Sequence, residues 1–164
     1  MFKLALAQMA HPANGNVTDA VRIWALQAKR AGAQLVVFPE CLMTPFEKTP
    51  EEFAASAQPL HGTFTRAMSS IAQEAGLWII FTLNEKNPSG GAPYNTAVVI
   101  DANGTLRGSY RKTHLYAAHG IDEGQKMSAG FPLFAPIETP FCTLGVGICY
   151  DLRFPEVARA AALA

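Results

Sequence analysis

The chain has 164 residues, of which 49% are apolar and 16% charged, a composition typical of a globular protein rather than a disordered one. Its 13 basic residues balance its 13 acidic ones and no basic tract stands out, so nucleic acid is not an expected partner. No apolar run approaches the roughly 20 residues of a membrane span, and no membrane association is expected.

Strands and helices alternate in the first half of the chain. Three apolar segments predict strands, the last two of them buried on both faces: residues 2–9, 33–40 and 77–83. Two amphipathic segments predict helices that end at Gly32 and Gly76: residues 17–31 and 62–75. The stretch after residue 40 is rich in Pro and Thr and is predicted to be a loop.

The second half of the chain contains more strands than helices. Residues 94–100 and 104–111 predict a hairpin joined at "DANG". Residues 112–132 show no period, and a segment of this length is usually functional or a wrong assignment. Residues 142–149 predict a buried strand, and a helix begins at Pro155. This order indicates one α/β or α+β domain over residues 1–164, with helices over a mixed sheet.

Three residues that can carry chemistry lie at the ends of predicted strands: Glu40, Lys112 and Cys149. Layered α/β folds place their functional groups at such strand ends. An ammonium beside a thiol favours the reactive thiolate and can stabilise an oxyanion. A partly desolvated carboxyl can move protons at working pH. The alternative is a structural ion pair beside an inert, buried cysteine.

The segments "VVFPE", "YRKTHLY" and "GICYDLRFPE" occur in this order and resemble the three motifs of the nitrilase superfamily, the carbon–nitrogen hydrolases. The resemblance covers the chain from "KLALAQM" onward. It implies a four-layer α-β-β-α sandwich. It also implies that Glu40 is the general base, Lys112 the oxyanion stabiliser and Cys149 the nucleophile.

The resemblance implies a second glutamate in the loop after the lysine, a few residues before a glycine. Glu123, ahead of Gly130, matches that position and would hold Lys112 in place. Asp122 is the neighbouring candidate for this position. The alternative to a functional role for Glu123 is a solvated carboxylate in the loop.

An arginine four residues after the cysteine resembles the branch that contains omega-amidases and deaminated glutathione amidase. In that branch the arginine holds a substrate carboxylate, a role that suits a planar guanidinium. The alternative for Arg153 is a salt bridge with Asp151 or Glu156.

These residues predict a hydrolase that cleaves the C–N bond of a small, carboxylate-bearing amide without a cofactor. Cys149 attacks the carbonyl carbon, and Lys112 with the backbone N–H of Tyr150 receives the oxyanion. Glu40 carries the proton to the leaving ammonia and then activates water. Two alternatives remain: a nitrilase acting on a nitrile, and a silent scaffold or interaction protein.

The three cysteines are an odd number without paired spacing, which favours a reducing compartment such as the cytoplasm. Cys41 and Cys142 are predicted to be core thiols, and no C-x-x-C or H-x-x-x-H motif suggests a metal site.

Members of the resembled family are longer than this chain, so we expect its C-terminal part to be missing. The uncovered apolar face of the last helix then predicts a homodimer, a higher homo-oligomer or aggregation. A cooperative, monomeric unfolding transition would contradict that prediction.

Overall fold

A five-stranded mixed sheet forms the centre of the computed structural model, which describes residues 2–164. The strands are neighbours in chain order: β1 (Leu4–Leu6), β2 (Leu35–Val37), β3 (Trp78–Glu85), β4 (Tyr94–Ile100) and β5 (Leu106–Arg111). The pairs β1–β2 and β2–β3 are parallel, whereas β3–β4 and β4–β5 are antiparallel. Parallel neighbours need long crossover connections, and the first helices lie in those connections.

The helices are α1 (Val17–Arg30), α2 (Pro50–Ser56), α3 (Thr63–Ala75) and α4 (Pro155–Leu163). Asn16 caps α1, because its side chain accepts a hydrogen bond from the backbone N–H of Asp19 at 3.2 Å. Gly76 ends α3 in the left-handed conformation, at φ +59°. The boundaries of α1 and α3 therefore lie within one residue of those predicted from the sequence.

The pleat of the sheet separates two apolar cores. Ile79 and Phe81 point toward α1 and α3 and belong to the larger core. Trp78 and Ile80, one position out of phase, belong to the core on the opposite face. Side chains that face the larger core alternate along β3 and β4 with side chains that face the other core, which explains why these strands are continuous apolar runs in the sequence.

A second, short sheet covers the face opposite α1 and α3. It consists of β8 (Ile137–Glu138) and β9 (Thr143–Leu144), paired antiparallel. The Phe141 ring, in the turn between them, contacts Trp78 edge-on with 5.8 Å between centroids. Helix α4 packs beyond this layer against the segment around Gly145 and Gly147. The layers are thus helix, sheet, sheet and helix.

Three sequence predictions need correction. The first strand is shorter than residues 2–9, since only Leu4–Leu6 pairs with β2. The predicted loop after residue 40 contains α2, which starts with a capping box between Thr49 and Glu52. The buried strand predicted at 142–149 is wrong, because only β9 is extended and paired. An apolar run forms a strand only where a neighbouring strand accepts its hydrogen bonds.

The segment at 112–132 folds compactly. It holds the hairpin β6 (Ala117–Ala118) and β7 (Ile121–Asp122), followed by the 3₁₀ helix Glu123–Gln125. Gly130 donates its backbone N–H to the carbonyl of Lys112 at 2.8 Å. A Cβ at Gly130 would overlap the backbone of Arg111, so glycine is required at this close approach. The segment is therefore a packed loop beside the end of β5.

Candidate active site

Lys112 lies directly after β5 and is completely buried. Its backbone N–H donates to the carbonyl of Asn95 at 2.8 Å, which continues the β4–β5 ladder by one step. Its Nζ lies 2.9 Å from Oε1 of Glu40 and 2.8 Å from Oε1 of Glu123. A buried ammonium requires such charged partners. The side chains that follow β2 and β5 therefore meet in one carboxylate–ammonium–carboxylate cluster.

The pKa of Lys112 results from opposing effects. Burial lowers it, but the hydrogen bonds with Glu123 and Glu40 outweigh burial and raise the pKa above its ordinary value. The ammonium is therefore charged throughout the neutral range. It can stabilise negative charge that develops beside it.

Glu123, rather than Asp122, contacts the lysine. Glu123 is 5% exposed, and its second carboxylate oxygen accepts the backbone N–H of Tyr116 at 2.8 Å. Asp122 is exposed and accepts the backbone N–H of Gly124 instead, at 2.9 Å. Of the two acids that the sequence left open, the structure brings only Glu123 to Lys112.

Glu40 has a second partner that the sequence analysis missed. Its Oε1 accepts a hydrogen bond from Nδ2 of Asn95 at 2.7 Å, in addition to the contact with Lys112. Asn95 is 2% exposed and lies one residue inside β4. The available signal was the amide side chain of Asn95 at the start of the predicted strand "YNTAVVI", whose last four residues are apolar.

Cys149 is the first residue of the 3₁₀ helix Cys149–Arg153 and is exposed. Its backbone has φ +46°, a left-handed conformation that costs a non-glycine residue of the order of 1–3 kcal/mol. Cys149 therefore lies at a sharp turn and does not end a buried strand. The reading of Cys149 as an inert core residue does not fit this exposure.

Asp151 holds the cysteine turn against the lysine segment. Its Oδ2 accepts from the backbone N–H of Ile148 at 2.9 Å and from the Tyr110 hydroxyl at 2.8 Å. Its Oδ1 lies 2.8 Å from Nδ1 of His114. Asp151 is 2% exposed, so these bonds are shielded from water. The turn that carries Cys149 is thus tied to residues on both sides of Lys112.

The pKa of the Cys149 thiol lies above its ordinary value. Partial desolvation of the sulfur in this otherwise exposed residue is the largest cause and the neighbouring Glu40 carboxylate is the next, while Lys112 acts in the opposite direction. Lys112 therefore favours the thiolate, as the sequence predicted, but desolvation and the Glu40 carboxylate outweigh its effect. The thiol needs a base, and Glu40 is the carboxylate beside it.

An open cleft of about 410 Å³ is lined by several of these groups. Its charged and sulfur-bearing walls are Glu40, Cys41, Glu123, Cys149 and Arg153, and its apolar walls are Phe46, Tyr116, Ile121 and Tyr150. Cys41 was predicted to be a core thiol, yet it is only partly buried and lines this cleft. Burial and the adjacent Glu40 raise the pKa of Cys41 to about 12, so this thiol stays protonated and unreactive.

Arg153 is exposed at the rim of the cleft. The ion pairs within 4.0 Å among residues 2–164 do not include it, and Asp151 pairs with His114 instead. The salt bridge with Asp151 or Glu156 that the sequence left open does not form in this structure. Tyr150 lies beside Cys149 with its ring edge-on to Tyr116, 5.1 Å between centroids.

No group of three or more His, Cys, Asp or Glu side chains in residues 2–164 has the geometry to hold a metal ion. None of the helices described is both long and apolar enough to cross a membrane.

The fold and this site define a class of protein. The model of the carbon–nitrogen hydrolase family matches residues 3–164, and the chain belongs to that family. This confirms the resemblance seen in the three sequence motifs.

Individual relatives make the relationship more specific. The omega-amidase NIT2 of Xenopus tropicalis is 34% identical over 165 residues, which cover 96% of this chain and 58% of the relative. The crystal structure of Saccharomyces cerevisiae Nit3, described as a member of branch 10 of the nitrilase superfamily, matches with a TM-score of 0.83 and 29% identity, over 99% of this chain and 60% of that one.

A third match is a glutamate-to-glutamine mutant of the amidase from Nesterenkonia sp. AN1. It shows the acetamide moiety of fluoroacetamide covalently added at its active-site cysteine, and it matches with a TM-score of 0.77 and 25% identity, over 98% of this chain and 60% of that one. These similarities confirm the predicted fold class. The chain spans about 58% of the length of the curated relatives it matches.

A glutamine at position 40 is expected to lower the pKa of the Cys149 thiol, because the Glu40 carboxylate raises it and Lys112 would then act unopposed by that charge. The rate of iodoacetamide modification, followed by mass spectrometry of the Cys149 peptide between about pH 6 and pH 10, gives the midpoint. We expect this midpoint to move to lower pH in Glu40→Gln. Cys41 serves as the internal reference, with slow labelling throughout. A midpoint that stays or rises would contradict the assignment of the charge.

Proposed function

We propose that this chain carries the catalytic residues of an amidase that hydrolyses a small, carboxylate-bearing amide to an acid and ammonia. The observation that carries the proposal is the buried Lys112 ammonium, which is clamped between Glu40 and Glu123, two acids that line the same cleft as Cys149. The family membership and the amidase relatives support the same reaction.

In the proposed reaction, the Cys149 sulfur attacks the amide carbon while its proton passes to Glu40. The C=O electron pair moves to oxygen, where the Lys112 ammonium and the backbone N–H of Tyr150 stabilise the negative charge. Glu40 returns the proton to the amide nitrogen, the C–N bond breaks and ammonia leaves. A thioester on Cys149 remains.

Water completes the cycle. Glu40 takes a proton from water, and the resulting hydroxide attacks the thioester carbon. The C–S bond breaks, the acid leaves, and the proton on Glu40 restores the thiol. No cofactor takes part in any step. The raised pKa of Cys149 supports this assignment, since a protonated thiol requires a neighbouring base.

The proposed substrate carries a carboxylate because Arg153 lies at the rim of the cleft with its guanidinium free of any acidic partner in the described chain. Monoamides of four- and five-carbon dicarboxylic acids, their 2-oxo forms and a deaminated peptide amide all present such a group. A nitrile could use the same three catalytic residues, so nitriles belong in the substrate panel.

Arg153→Gln is expected to reduce kcat/KM for a carboxylate-bearing amide by about 10- to 100-fold, the value of a charge-assisted, bidentate contact. The reduction should appear mainly in KM, and a neutral amide such as propionamide should be unaffected. Arg159→Gln is the matched control, since Arg159 is exposed on α4 and lies outside the cleft. Equal losses for the charged and the neutral amide would contradict the proposed role.

We further propose a reducing compartment such as the cytoplasm, because all three cysteines are free. Self-association also stays a proposal. It is supported by apolar side chains such as Leu152 and Phe131, which are 89% and 86% exposed. A cooperative, monomeric unfolding transition would contradict self-association.

A further inference from the structure

We infer that Asn95 is a positioning residue for the proposed reaction: one buried asparagine orients the base and anchors the lysine. This inference rests on the proposed function and extends it to a residue that the catalytic motifs do not contain.

The first observation is that Asn95 contacts both charged groups. Its side-chain Nδ2 donates to Oε1 of Glu40 at 2.7 Å. Its main-chain oxygen accepts the backbone N–H of Lys112 at 2.8 Å. The distance between base and ammonium therefore depends on the geometry of a single residue in β4. Asn95 pairs with Asn84 of β3 on one side and accepts the backbone N–H of Lys112 on the other, so that residue has little freedom to move.

The second observation concerns which carboxylate oxygen is occupied. Asn95 and Lys112 both contact Oε1 of Glu40. The other oxygen, Oε2, receives neither of these two donors. Two donors on Oε1 restrict rotation of the carboxylate and leave Oε2 as the oxygen available to take the thiol proton.

The third observation separates positioning from substrate contact. Asn95 is 2% exposed and does not line the cleft. A variant at this position should therefore lower kcat with little change in KM. A residue that bound substrate would change KM.

The neighbouring strand supplies a matched control. Asn84 pairs with Asn95 across β3 and β4 and is also 2% exposed. Its Nδ2 donates to the Ser56 hydroxyl at 3.0 Å rather than to Glu40. Asn84→Ala removes the same side chain at the same burial without touching the catalytic cluster. Any loss of kcat that Asn84→Ala shares with a variant at Asn95 is therefore due to lost packing.

The test compares Asn95→Ala, Asn95→Leu and Asn84→Ala, because leucine keeps the volume if alanine impairs folding. We expect kcat for amide hydrolysis to fall about 10- to 100-fold in both Asn95 variants, the value of a hydrogen bond to a charged group, with KM within about twofold of wild type. Asn84→Ala should retain its kcat, after correction for the folded fraction measured by circular dichroism.

A second measurement does not need turnover. The pH midpoint of Cys149 alkylation should move in the Asn95 variants in the same direction as in Glu40→Gln, and by less, because the carboxylate is no longer held beside the thiol. Asn84→Ala should leave it in place. Wild-type kcat and an unmoved midpoint in the Asn95 variants would overturn the inference.

The two measurements also separate this inference from the proposed function. If the wild-type chain hydrolyses no amide, the proposed function fails and the alkylation midpoint alone decides the role of Asn95. If the wild type is active and the Asn95 variants match Asn84→Ala in both measurements, only the inference fails.

Discussion

Cys149→Ala is expected to abolish ammonia release from amides, with a loss on the order of 10⁴- to 10⁶-fold, as for removal of a nucleophile elsewhere. The other thiol in the cleft, Cys41, is more buried than Cys149 and its pKa is raised further, to about 12, so we do not expect it to replace the sulfur. The fold should survive, because Cys149 is exposed and alanine is no larger. A coupled ammonia assay with circular dichroism measures both.

Cys142→Ala is the matched control for this variant. Cys142 is, like Cys149, a free cysteine. It is partly buried and lies in the turn between β8 and β9, outside the cleft. It should keep full activity. Wild-type ammonia release by Cys149→Ala would remove the basis of the proposed mechanism, whereas inactivity of both cysteine variants would point to a general loss of structure.

Lys112→Met is expected to destabilise the chain by about 3–5 kcal/mol at neutral pH, the usual cost of removing one partner from a buried charge cluster. The variant leaves the carboxylates of Glu40 and Glu123 facing each other without the ammonium that separates them. Amide hydrolysis should fall by at least about 10²- to 10³-fold, the value of one oxyanion-stabilising donor. Urea unfolding and the ammonia assay measure the two effects.

The pH dependence of this stabilisation follows from the raised pKa of Lys112. A cation whose folded pKa exceeds its unfolded value of 10.5 stabilises the fold fully below that pH. The contribution is lost as the pH rises through the folded pKa. The difference between wild type and Lys112→Met should therefore be constant from neutral pH to about pH 10 and shrink above it.

Lys48→Met is the control for the loss of an ion pair as such. Lys48 lies 2.8 Å from Glu52, but both side chains are 48% exposed, so water screens the pair and its loss should change stability far less than the loss of Lys112. Equal destabilisation by the two lysine variants would show that the Lys112 cluster has no special role in the fold.

Local sequence signals predicted those elements whose boundaries depend on local chemistry. Gly76 ends α3 because it adopts a left-handed backbone at little cost. Strand β4 (Tyr94–Ile100) was predicted at its observed residues, since a turn around Gly104 limits the hairpin that it forms with β5. The capping box that starts α2 was also a local signal, in "TPEE", and the sequence analysis missed it.

Signals that depend on distant partners were less reliable. The apolar run at 142–149 predicted a strand, but strand formation requires a neighbouring strand, and β8 pairs only with Thr143–Leu144. The same limit applies to Asn95. Its position in a buried strand was visible, whereas its bond to Glu40, 55 residues away in sequence, was not.

The sequence by itself determined the family and most of the helices and strands of the first 111 residues, and it predicted which groups react, because motifs and periodicities are properties of neighbouring residues. Only the tertiary structure decided that Glu123 rather than Asp122 meets Lys112, and that Asn95 holds Glu40. It also decided the direction of the thiol pKa, which burial and Glu40 raise although Lys112 is near. These outcomes depend on distances and burial, since charge interactions vary steeply with both.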